Sequence, residues 1–220
     1  MTDTVLNLGA LLYEGFEMLD LFGPLEMFSN VGDGRVRIVT VAESAGPVAA
    51  SIGAEGPIGP QVVADFHFTD APQLDILLVP GGFGTLPQLE NTAMLDFLRE
   101  RSAHASVVCS VCTGSALLAR AGVLDGRRAT SNKQFFALAT GQPGDTDWVE
   151  QARWVEDDKF YTSSGVSAGM DMSLAVISRL FGADTAETVV KATEYSWHRD
   201  ADEDPFASEL NVMAQALGLA

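Results

Sequence analysis

The chain has 220 residues, 47% of them hydrophobic, enough to bury one substantial core and most simply read as a single domain over residues 1–220. Thirteen basic residues against 30 acidic ones leave a formal charge of −17, which repels phosphate backbones and anionic bilayers, so nucleic acid and membranes are poor partners. No apolar run is long enough to cross a bilayer and the opening MTDTVLNLGA lacks a signal-peptide pattern, so the expected location is the cytoplasm.

Residues 5–13 read as an opening strand, apolar nearly throughout and therefore buried on both faces. Past the loop EGFEM, Leu19, Leu21, Phe22, Leu25, Met27 and Phe28 follow a helical period, with Pro24 tolerable only near the first turn. Asp20 thus falls where loop becomes helix, just beyond the C-terminal end of the strand, and a simple N-cap is the competing use for it. Residues 36–41 predict a second strand, and the Gly/Pro-rich GPVAASIGAEGPIGPQ predicts loops or short edge strands. DILLVPGGFGTLP, residues 75–87, predicts a buried strand running into glycines. A phosphate loop would need a lysine that is absent, so Gly82 is read as an amide donor to an anion, with a plain turn as the alternative.

Asn91 or Thr92 caps an amphipathic helix that ends near His104. VVCSVCTGSALLARAG, residues 107–122, then joins a β-branched strand to an Ala/Leu-rich helix with no room for a loop. Cys112 sits at that corner, followed by Thr113 and Gly114 with free amides at a helix start. Such an environment is expected to lower the thiol pKa and to make the cysteine counterpart of a nucleophile elbow, the amides of Thr113 and Gly82 forming an oxyanion hole. A buried cysteine serving as a small hydrophobe is the alternative. The pair Cys109 and Cys112 forms no disulfide framework, and a thioredoxin-like use is disfavoured because Cys109 falls inside the strand. Zinc is disfavoured too, since His67, His104 and His198 show no ligand spacing to the pair.

LDGRRATS predicts a turn into a short strand, residues 132–139 a short helix, and residues 148–164 a hairpin bending at Asp157 and Asp158. Residues 163–182 open a long apolar helix. Another begins with Asp184 as cap and Glu187 three residues on, and the acidic DADEDP leads to a short terminal helix. Strand and helix alternate, which argues for a mostly parallel sheet covered on both faces, with its site at the C-terminal strand ends. Asp20, Gly82 and Cys112 all fall at such ends.

Five segments, LDLFGPLE at 19–26, VPGGFG at 79–84, SVCTGS at 110–115, VLDGRRAT at 123–130 and SSGVSAGMDMSL at 163–174, together resemble the ThiJ/PfpI superfamily of class I glutamine amidotransferase-like proteins. Within it the chain resembles the isonitrile hydratase group. That resemblance implies a flavodoxin-like three-layer sandwich, a homodimer, a small-molecule substrate, and neither metal nor organic cofactor. Carried over by position, it makes Cys112 the nucleophile, Asp20 rather than Glu17 the acidic partner, and Thr113 and Gly82 the backbone donors. One departure matters: where some relatives carry a histidine after the elbow, this chain reads ATSNKQ with Asn132, and no histidine occurs between His104 and His198. Amide hydrolysis by a Cys/His pair is disfavoured accordingly. The expected reaction is hydration of isonitriles to N-substituted formamides, with action on glyoxals and a non-catalytic redox sensor as alternatives. Phe83, Asn132, Trp154 and Trp197 are candidates to line the pocket by position or bulk.

Overall fold

The structure is a computed structural model that describes residues 5–219. The chain opens with β1 (Leu6–Leu11), α1 (Met18–Ser29) and β2 (Val36–Ala42), a strand–helix–strand unit whose two strands pair in parallel from Leu6 opposite Val36. The Gly/Pro-rich run folds back as an antiparallel pair, β3 (Gly46–Ala49) and β4 (Gln61–Ala64), before β5 (Phe66–His67) joins the edge of the sheet beside β2. The chain then crosses to the other side of β1 to lay down β6 (Ile76–Val79). It continues through α2 (Thr85–Gln88), α3 (Thr92–His104), β7 (Val107–Ser110) and α4 (Gly114–Arg120).

After α4 come β8 (Arg128–Ala129), α5 (Phe136–Thr140) and β9 (Asp147–Trp148), then the hairpin β10 (Trp154–Asp157) and β11 (Phe160–Ser163). α6 (Ala168–Phe181), α7 (Ala183–Thr193) and α8 (Val212–Ala216) complete the chain. Among the described residues the central sheet runs β10-β11-β7-β6-β1-β2-β5, and only β10 is antiparallel. β6 and β7, the sequences ILLV and VVCS, are buried at every position, as central strands covered on both faces must be. α1, α6 and α7 pack together on one side, α2 through α5 on the other.

The order reverses between β1 and β6, so the loops leaving those strands diverge and open a crevice at their C-terminal ends. That crevice receives Asp20 from the start of α1, the glycines after β6, and Cys112 after β7.

Several local expectations need correction. Asp184 is not a cap: Gly182, at φ +92°, ends α6 and directly precedes α7, which leaves Asp184 inside the first turn without a capping bond. Asp20 likewise lies within α1, where Glu17 holds the cap position, and its carboxyl is turned inward. Pro24 sits well inside that helix rather than near its first turn, and its missing amide leaves the Asp20 carbonyl without the helical partner it would otherwise have. Trp148 pairs with β8 in a separate two-stranded sheet, and the hairpin begins only at Trp154. The short terminal helix is present as expected, at Val212–Ala216, with a 3₁₀ turn at Ala207–Glu209 ahead of it.

Candidate active site

Cys112 is held at φ +57°, a left-handed conformation that costs a non-glycine residue about 1–2 kcal/mol. Neighbouring bonds over-determine it: its amide donates to the Ser164 carbonyl (3.1 Å), and its own carbonyl accepts from Ser115 Oγ and Ser131 Oγ, each at 3.1 Å. Close approach of the strand ends needs glycine at two places. A Cβ on Gly114 would sit 2.3 Å from the Val79 carbonyl oxygen, and one on Gly81 would sit 2.6 Å from the Thr113 amide nitrogen and 3.0 Å from Asp20 Oδ2.

Asp20 is fully buried, and the thiol of Cys112 lies against its carboxyl. Its Oδ2 accepts from the Gly81 amide at 2.9 Å, while Oδ1 has no hydrogen bond of ordinary geometry. Burial, reinforced by the charge of Glu17, raises the carboxyl to about 8 against the pull of the Gly81 amide and the thiol. Cys112 is 6% exposed, and the Thr113 amide and Asn132 Nδ2 both donate to its sulfur, the latter at 3.0 Å. These donors lower the thiol pKa, but burial and the Asp20 carboxyl outweigh them, and the net displacement is upward. The thiol depressed by a helix start is therefore corrected: α4 is short, and a dry site beside a carboxyl favours the protonated pair.

Gly82 occupies the same crevice with its amide turned to Thr113 Oγ1 at 3.1 Å, not presented freely to a ligand. That hydroxyl is also 2.9 Å from Thr85 Oγ1, which is 3.1 Å from the buried Tyr13 hydroxyl. Tyr13 in turn donates to the Pro80 carbonyl at 2.7 Å, so a chain of hydroxyls beneath the site fixes Thr113. Sequence reading missed Tyr13 and Thr85, and treated Asn132 only as a wall. Each lies at least 20 residues from its partner, and no local pattern announces such a contact.

Above the sulfur lies a cleft of about 160 Å³. Phe83 and Asn132 line it with Leu86, Phe135, Leu138 and Leu219, and Phe83 meets the Phe135 ring edge-on at 5.6 Å. Glu17 also lines it, whereas Asp20 stands behind the sulfur. Trp154 and Trp197 lie elsewhere, in a groove with Arg199. None of the described histidines lines the cleft. His198 is exposed, and its Nε2 is 3.1 Å from the Glu203 carbonyl. Among the described residues, no cluster of three or more acidic, histidine or cysteine side chains is arranged to hold a metal ion.

A doubly wound, flavodoxin-like sandwich with a cysteine at the elbow after a central strand defines the class of this molecule. The chain belongs to the DJ-1/PfpI family, whose profile matches residues 9–179. It is 36% identical over 191 residues to the isonitrile hydratase of Pseudomonas putida, covering 87% of this chain and 79% of that protein. A ThiJ/PfpI family protein from Pseudomonas syringae superposes with a TM-score of 0.79 at 30% identity, covering 98% of this chain and 87% of the other. Drosophila melanogaster DJ-1beta shares the fold at a TM-score of 0.74 and 18% identity, over 88% of this chain and 100% of its own. No helix among the described residues is long and apolar enough to cross a membrane.

Proposed function

We propose that the protein hydrates isonitriles to N-substituted formamides, with Cys112 as nucleophile and Asp20 as acid and base. One observation carries this reading: the sulfur lies against a carboxyl that burial keeps protonated up to about pH 8. The terminal carbon of an isonitrile accepts both a nucleophile and a proton. As the bond from Sγ to that carbon forms, Asp20 gives the carbon its proton and takes the thiol proton in exchange. The net change inserts the carbon into the S–H bond and yields a thioimidate, R–N=CH–S–Cys112. No standing thiolate is required, which suits a thiol raised by its surroundings.

Water then adds across the C=N bond with Asp20 relaying the proton, and the tetrahedral carbon expels the thiol as the formamide departs. The balance is one isonitrile plus one water to one formamide, with the enzyme restored. Similarity to a named isonitrile hydratase over most of both chains supports this choice of substrate. A peroxide sensor would call for an accessible, low-pKa thiol, and the resemblance associates action on glyoxals with a histidine often present after the elbow, where this cleft has Asn132. The same reading takes the protein as a cytoplasmic homodimer without a cofactor; Met18, Leu19 and Phe22, exposed along α1, are apolar surface that a second copy would cover.

The test is formamide production from cyclohexyl isocyanide. Wild type should turn it over and Cys112→Ala should not, with unchanged circular dichroism. Undiminished formamide production by Cys112→Ala, or wild-type conversion of methylglyoxal to lactate with no formamide from the isonitrile, would overturn the reading.

A further inference from the structure

The cleft over Cys112 has an outer wall built from a segment that takes no part in the central sheet. After α7 the chain is pinned at Asp204, which is buried, donates its amide to the Gln151 carbonyl at 2.8 Å, and holds its carboxylate 3.7 Å from Arg153 Nη1. Farther on it docks onto the loop that brings Asn132 to the sulfur. The Asn211 amide donates to the Lys133 carbonyl at 2.8 Å, the Ala214 amide donates to the Gln134 carbonyl at 2.9 Å, and Asn211 Oδ1 accepts from the Ala137 amide at 2.6 Å. Ala214 is fully buried under α8, and Leu219, just past it, lines the cleft. Phe206 lines an adjoining hollow of about 240 Å³ that shares Asn132, Gln134 and Val166 with the cleft.

The geometry points to Leu219 as a specificity-determining residue: it is the outer wall that restricts the isonitrile to a compact, uncharged apolar R group about the size of one six-membered ring. This deepens the proposed hydration and rests on it for the identity of the substrate. Size follows from the cleft volume of about 160 Å³, close to the ~150 Å³ apolar cavity that accepts benzene and well below the ~300 Å³ at which drug-sized pockets begin. Polarity follows from the lining, in which Glu17 is the one acidic side chain and no lysine, arginine or histidine is present to receive an anionic R group. Leu219 is itself 36% exposed and is tied back by one backbone bond, from its amide to the Ala214 carbonyl at 2.8 Å. Its side chain can therefore be changed without opening the core.

The experiment compares kcat/KM for ethyl, cyclohexyl and 2-naphthyl isonitriles in wild type, Leu219→Ala and Leu219→Trp, after melting curves establish that both variants fold. Leu219→Ala should raise the naphthyl-to-cyclohexyl ratio about ten-fold, and Leu219→Trp should lower the cyclohexyl-to-ethyl ratio by about as much. In parallel, labelling of the Cys112 peptide by N-ethylmaleimide and by N-naphthylmaleimide reads the same wall without turnover. If wild type hydrates none of the isonitriles, the hydration reading falls, and the labelling ratio alone decides the role of Leu219. Size ratios within two-fold of wild type in both variants, by kinetics or by labelling, would overturn the wall.

Discussion

Two aspartates, Asp20 and Asp171, are equally and fully buried, yet the molecule treats them in opposite ways. Asp171 Oδ2 receives Nε and Nη2 of Arg153, both at 2.7 Å, and its Oδ1 accepts from the Tyr195 hydroxyl at 3.1 Å and the His198 amide at 2.9 Å. Asp20 has no ion pair among the described residues, one ordinary hydrogen bond, and a thiol as neighbour. The first carboxylate ties α6 to the hairpin and to the chain beyond α7, a structural task in which its charge is compensated. The second is left uncompensated and so keeps its proton, which is the state in which a carboxyl can act as an acid.

The sharpest way to break this contrast is Asp20→Asn. Loss of a positioned general acid should lower kcat by about 10²–10⁴-fold, read as formamide production. The fold should gain, and the sign follows from proton linkage. Folded Asp20 keeps its proton to about pH 8, whereas an unfolded chain releases it at about 3.9, so wild-type stability falls as pH rises through that window. Asp20→Asn lacks that slope, and thermal melts at pH 5, 7 and 8 should show its margin over wild type widening to a few kcal/mol. A margin independent of pH would mean the carboxyl is ionised in the fold.

Arg153→Met tests the other aspartate. It strands the Asp171 charge and should cost about 3–5 kcal/mol in urea unfolding, largely recovered by adding Asp171→Asn. A loss below about 1 kcal/mol would show that Asp171 needs no cation. The smallest effect is expected from Asn132→Ala, which removes one donor to the sulfur and the bond from the Phe135 amide to Asn132 Oδ1. About a ten-fold loss of kcat/KM should accompany an upward move in the pH dependence of Cys112 alkylation. An unmoved alkylation profile would reduce Asn132 to a wall.

Much of the framework was legible because its signals are local. ILLV running into PGG, and VVCS running into VCTG, specify buried strands and sharp exits from neighbouring residues alone. Asp20 could be put at the same crevice as Cys112 because strand and helix alternate, which brings both to one edge of the sheet, whereas the pairing of its carboxyl with the sulfur came from the family resemblance alone. The thiol pKa was misread because it depends on burial and on a carboxyl 92 residues away, neither of which the elbow motif contains. Lys133 and Arg153, in polar segments that suggest exposure, are buried because the chain beyond α7 folds over them, and burial lowers Lys133 to about 8. Asp184 failed as a cap for a related reason: a good capping pattern is overruled when the preceding helix ends one residue too late to leave an extended turn.

The backbone angle at Cys112 has an evolutionary corollary. Glycine adopts φ +57° freely, whereas an L side chain there bears a steric cost, so cysteine at this position is held against its own backbone preference. A descendant of this chain that had lost its chemistry would be released from that constraint, and position 112 would be open to glycine, for which the angle carries no steric cost.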